Sequence, residues 1–180
     1  ICNRGFCEFF RLKPVQIPKS VTSIGDKAFA HCENLPLIII PDSVEFIGFG
    51  TFARCTFPSI KIPRSMVSSG GYTFAGCEKL KEIDVSENPN FVLSEGVLMD
   101  KEMTQIIYCN PYKSRSYTIP NTATTICAGA FRGCNKLNSI VIPDSVTSIG
   151  DEAFDFCNHL WSITIPNSVV SIGSRAFQYC

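Results

Sequence analysis

The 180-residue chain carries 16 basic and 16 acidic side chains, with 18 % charged and 45 % hydrophobic residues. That balance supplies no basic field to hold a phosphate backbone, so no nucleic acid partner is expected. Uninterrupted apolar runs as short as Leu37 to Ile40 fall far below the roughly 18 residues of a spanning helix, and no direct membrane insertion is expected.

From the N-terminus, residues 1–11 show no succession of basic, apolar and small residues, so no signal peptide is expected within them. Leu12, Val15 and Ile17 then lead into Pro18, which reads as a short strand that stops where the ladder loses a donor. From Ile17 the chain begins to repeat itself. The segments IPKSVTSIGDKAFAHC (17–32), IPDSVEFIGFGTFARC (40–55), IPRSMVSSGGYTFAGC (62–77), IPNTATTICAGAFRGC (119–134), IPDSVTSIGDEAFDFC (142–157) and IPNSVVSIGSRAFQYC (165–180) align without a gap. A fixed period near 23 residues predicts a solenoid, in which each unit completes its core only against its neighbours.

Between each cysteine and the next proline, Leu35, Ile38 and Ile40 recur as Leu80, Ile83 and Val85, as Leu137, Ile140 and Ile142, and as Leu160, Ile163 and Ile165. This predicts one short strand per coil. The repeats run 1–17 (partial), 18–40, 41–62, 63–85, 86–119, 120–142, 143–165 and 166–180 (partial), forming one solenoid over 1–180 that begins and ends inside a repeat, as a fragment of a longer protein would. Copy 41–62 is one residue short. Copy 86–119 runs to 34 residues, and within it Val97, Leu98 and Met99 and then residues 105–109 flank a polar stretch, which predicts a β-hairpin.

These in-register motifs resemble the leucine-rich repeats of the BspA-type, 23-residue (Treponema-type) class over nearly the whole chain. The resemblance implies an α/β repeat solenoid: a curved stack of short parallel strands without catalysis, used in adhesion and contact with host surfaces. It points to a non-enzymatic protein-binding or adhesion module of a microbial surface protein, located at the cell surface or secreted, whose partner is a protein or glycan of a host surface or matrix. The alternative is an intracellular, cytoplasmic scaffold or regulator on the same solenoid.

Within each coil, Val21, Ile24, Ala28, Phe29, Cys32, Leu35, Ile38 and Ile40 are expected to stack on their equivalents. Gly25, Gly48, Gly70, Gly150 and Gly173 form a column that calls for positive φ or close backbone approach, with Cys127 as the exception. The stretch after that glycine, such as residues 151–157, is expected to form a short helix or 3₁₀ turn. Six of the ten cysteines share one column and read as buried thiols, because parallel Cβ vectors suit a disulfide poorly. Cys2, Cys7, Cys109 and Cys127 are the better candidates for a bond. No Cys-x-x-Cys pair or other ligand cluster predicts a metal or cofactor. The two histidines, His31 and His159, complete no catalytic set, so no enzyme is expected.

Binding residues are expected among the outward-facing strand positions on the concave wall, where Leu37, Ile39, Lys61, Glu82, Asp84, Val141, Trp161 and Thr164 stand out. Exposed repeat ends are also expected to promote self-association.

Overall fold

The computed structural model describes residues 1–112 and 115–180; Lys113 and Ser114 of the long copy lie outside the described residues. The chain forms two compact units, Ile1–Phe91 and Val92–Cys180.

In the first unit, strands β1 (Val15–Gln16), β3 (Ile38–Ile39), β5 (Ser59–Lys61) and β7 (Glu82–Asp84) are the expected strands before each proline or polar break. They pair in parallel as β1–β3 and β5–β7. A second wall is built from β2 (Ser23–Ile24), β4 (Phe46–Ile47) and β6 (Ser68–Ser69), again parallel. Register equals repeat: Val15 faces Ile38, Ile24 faces Ile47, and Ile60 faces Ile83. Each apolar side chain therefore lands on its own counterpart one coil away.

In the second unit, β11 (Ser116–Thr118) pairs in parallel with β13 (Ser139–Val141). The other sheet has six strands in the order β15 (Ser171–Ile172), β14 (Ser148–Ile149), β12 (Thr125–Ile126), β10 (Gln105–Cys109), β9 (Val97–Asp100) and β8 (Phe91–Ser94). The antiparallel pair β9–β10 is the expected hairpin. Asp100 closes its turn by accepting the amides of Thr104 and Gln105, each at 2.7 Å. Glu95 and Gly96, at φ 50° and 80°, link β8 to β9 in the manner of a type I′ turn. Val97, Leu98, Met99 and residues 106–109 are all buried, so both sides of the hairpin are covered, and the exposed residues Lys101, Glu102 and Gln105 lie at and beside its turn. The insertion closes the core instead of protruding from it.

Phenylalanines stack through each unit: Phe6, Phe29, Phe52 and Phe74 at centroid separations of 5.1, 5.8 and 5.9 Å, and Phe131, Phe154 and Phe177 at 5.0 and 5.3 Å. Each fully buried ring contributes about 2–3 kcal/mol of transfer free energy, and each pair adds about 1 kcal/mol. In the short copy Phe57 fills the place that Leu35 holds one coil earlier, packing edge-on to Phe52 at 5.7 Å; its larger ring replaces the volume of the missing residue.

No helix occurs among the described residues, which corrects the expectation of a short helix or 3₁₀ turn after the glycine. A helix would keep its amides within the coil. Here they alternate. Ala28, Ala30 and Cys32 donate three residues back, to Gly25, Lys27 and Phe29, while Lys27, Phe29 and His31 donate across to Phe49, Thr51 and Ala53 at 2.8–2.9 Å. The chain achieves this with left-handed residues at Lys27 (φ 54°) and His31 (φ 60°), a pair that recurs at Glu152 and Phe156 and at Arg175 and Tyr179.

The glycine column does not have positive φ; close approach explains it. A Cβ on Gly48 would lie 2.6 Å from the Asp26 nitrogen and 2.8 Å from the Gly25 carbonyl carbon, and one on Gly150 would lie 2.4 Å from the Ala128 nitrogen. Cys127 is tolerated because the preceding coil runs on as β10 past Ile106, whose carbonyl accepts the Cys127 amide at 2.9 Å, instead of turning there.

Three cysteines without an evident repeat position also acquire one. Cys2 sits beneath Gly25 in the glycine column, and Cys7 follows Phe6 as Ala30 follows Phe29. Cys109 donates its amide to Ala130 as Phe131 does to Ala153, so it occupies the phenylalanine column.

Gly48→Ala is expected to cost about 3 kcal/mol or more, because backbone must move. Gly133→Ala, at φ 76° with nothing within 4 Å of the added carbon, is expected to cost about 1 kcal/mol. Urea unfolding of both variants checks the contrast; equal losses would remove the close-approach explanation.

Candidate interaction face

Alternation along the strands separates inward from outward residues. Ile38 and Ile40 are buried while Ile39 between them is 49 % exposed; Ile140 and Ile142 are buried while Val141 is 57 % exposed. Leu37 holds β1 through its carbonyl, which accepts the Val15 amide at 3.0 Å, and leaves its side chain 41 % exposed. Three apolar side chains thus stand where solvent contact would be served by polar ones.

In the Ile1–Phe91 unit the register sets Gln16 beside Ile39, Lys61 beside Asp84, and Glu82 beside Ser59. An open groove crosses this wall, lined by Gln16, Lys19, Ile39, Asp42, Lys61 and Pro63. It unites two of the expected residues, Ile39 and Lys61. Lys61 Nζ lies 3.0 Å from Glu87 Oε2, which raises its pKa, but both side chains are more than half exposed and such a pair adds little stability. The Asp84 carboxylate accepts from the Ser86 hydroxyl and from its amide at 2.9 Å, which holds it below the usual range.

The Val92–Cys180 unit holds the other three. Val141 faces Thr118 across β11–β13. Residues 160–165 are irregular, so Trp161 and Thr164 do not lie on a strand as expected, although Trp161 is 85 % exposed. Lys19 and Asp42 line the groove and are absent from the expected set. Each directly follows the proline that ends a strand, and that column, continued by Arg64, Asn121, Asp144 and Asn167, is polar and variable in every copy.

The column thiols donate to phenylalanine carbonyls one coil back: Cys55 to Phe29 at 3.0 Å, Cys77 to Phe52 at 2.9 Å and Cys157 to Phe131 at 3.1 Å. Burial pushes the Cys77 and Cys157 thiols up to about 12 and Cys127 to about 11, opposite to the activated thiolate that nucleophilic chemistry uses. Among the described residues no three metal-ligating side chains gather, and no helix is long and apolar enough to cross a membrane.

The family model described as the BspA type leucine rich repeat region matches residues 1–114 and 101–180, in six copies. No curated protein matches the chain in sequence. Among solved structures it is similar to a leucine-rich repeat protein from Eubacterium ventriosum (28 % identity, 96 % of this chain and 53 % of that one, TM-score 0.76). It is also similar to the pneumococcal vaccine antigen PcpA (27 % identity, 93 % and 42 %, TM-score 0.83). A third is a leucine rich cell surface protein from Faecalibacterium prausnitzii (25 % identity, 98 % and 54 %, TM-score 0.75). The chain spans about half the length of these proteins.

A thiol whose folded pKa is raised stabilises the fold fully below its ordinary value of 9.0, and that contribution is lost as pH rises toward the folded value of about 12. Unfolding free energy is therefore expected to fall steadily from pH 9 to 11, and less steeply in C77A. Urea titrations across that range check this; an identical slope in C77A would contradict it.

Proposed function

Because the chain belongs to the BspA-type leucine-rich-repeat family, we propose that it is a non-enzymatic binding module of a microbial surface protein that holds a protein partner on the outer side of its strand wall. Leu37 and Ile39 carry this reading: two apolar side chains at outward positions beside an open groove with charged edges. Apolar anchors surrounded by polar groups are the usual composition of an interface centre, whereas exposed charges such as Lys61, Glu82 and Asp84 tune encounter and specificity. Val141, Trp161 and Thr164 are proposed contacts of the second unit. The surface location is supported by the similarity to a cell surface protein and to a vaccine antigen.

Binding of the purified chain to cultured epithelial cells and to wells coated with extracellular-matrix proteins tests the proposal. L37S/I39T is expected to weaken saturable binding about tenfold or more, with an unchanged circular dichroism spectrum; undiminished binding would sink the strand-wall assignment. An intracellular scaffold is the second reading, favoured by ten free thiols, since oxidising compartments tend to pair them. Quantifying thiols on unreduced, denatured protein from the native source weighs the two: bridged cysteines count against the intracellular reading.

A further inference from the structure

The repeats supply an internal reference for each position, and two adjoining coils of the Ile1–Phe91 unit depart from it on the β2–β4–β6 wall. The outward strand position is Ser23, Ser68, Thr125, Ser148 and Ser171 in other coils but Phe46 here. The residue before it is Thr22, Glu45, Thr124 and Thr147, but Val67 in the coil next to Phe46 and Val170 in the last coil, where no aromatic side chain accompanies it on the strand. After the glycine, Asn3, Asp26 and Asp151 each accept the amide of the equivalent residue one coil on, at 2.7–2.8 Å. Phe49 ends that ladder, since its ring accepts nothing, and stacks instead on Tyr72 at 5.7 Å with planes 13° apart. Phe46, Phe49 and Val67 remain 43 %, 38 % and 62 % exposed while Ile47 beneath is fully buried. The core does not require them, and Phe49 forgoes the hydrogen bond that Asn3, Asp26 and Asp151 each accept.

We propose that Phe46, Phe49 and Val67 form an anchor site, on a different wall from the strand face above, for a short segment of a partner protein that contributes two or three apolar side chains. Exposed area selects this occupant. The three side chains offer roughly 250 Å² of apolar surface, well under the about 800 Å² per partner of a stable dimer, so a second copy is not the natural fit. A sugar would need hydrogen-bonding groups at the centre, but the contact atoms are hydrocarbon and the Asp26 carboxylate is already held by the Phe49 amide. Rigid rings with few rotatable bonds suit burial against an apolar segment at low entropic cost.

The test is panning of the whole chain against phage-displayed random dodecapeptides, followed by titration of synthetic copies of the enriched sequences. F46S, F49D and V67T install residues that the chain itself uses at these positions, so the triple variant is expected to keep its melting temperature; F46S and V67T singly serve if it does not. Enriched peptides should carry two or three apolar residues. They should bind the triple variant about tenfold or more weakly and L37S/I39T as the parent, which separates this site from the strand-wall proposal. Equal binding to the triple variant, or loss only in L37S/I39T, would overturn it. So would a glycan-array signal or a sedimenting dimer abolished by the triple variant.

Discussion

A coil of about 23 residues cannot satisfy its own backbone, and the structure rests on how it hands those groups to its neighbour. Along the turn segment every second amide closes a turn within the coil and the intervening ones cross to the next. This alternation ties the segment to adjoining coils almost as a strand would be tied, without an extended conformation. It also dictates where glycine must stand: backbones that approach closely enough to bond at 2.8 Å leave no room for a Cβ at Gly48. The phenylalanine stack and the thiol-to-carbonyl bonds follow from the same register, which places like on like.

The strand columns were legible in the sequence because their period is carried by side-chain identity: proline, phenylalanine and cysteine cannot easily be mistaken for one another. The turn segment was not. Ile24, Ala28, Phe29 and Cys32 lie on what would be one face of a helix, and nothing about Lys27 or His31 announces a left-handed backbone. Other coils held the clue. Gly50 and Gly129 stand in the column of Lys27, and Gly76 and Gly133 in that of His31, all with positive φ. These columns carry two left-handed points per repeat, incompatible with a helix.

The candidate face was partly legible for a similar reason. Strand alternation marks Ile39, Lys61 and Val141 as outward, but it ends at the proline and carries no signal for Lys19 and Asp42 of the same groove. Trp161 was assigned to a strand by its Leu-x-x-Ile-x-Ile context, yet its segment is irregular. The opposite lesson applies to the cysteines. Cys2, Cys7 and Cys109 carry letters foreign to their columns yet hold glycine, alanine and phenylalanine positions, so the whole thiol content belongs to the repeat. A repeat module built this way keeps a constant interior and varies its outward columns.

Hydrogen exchange resolved by residue under native conditions tests the central claim, that the turn segments are bonded from coil to coil. The amides of Phe29, His31, Phe131 and Phe154, which donate to Thr51, Ala53, Ala153 and Ala176 at 2.7–2.9 Å, are predicted to be protected as strongly as those of the paired strands. Exchange at the rate of open loops, with the strands still protected, would contradict it.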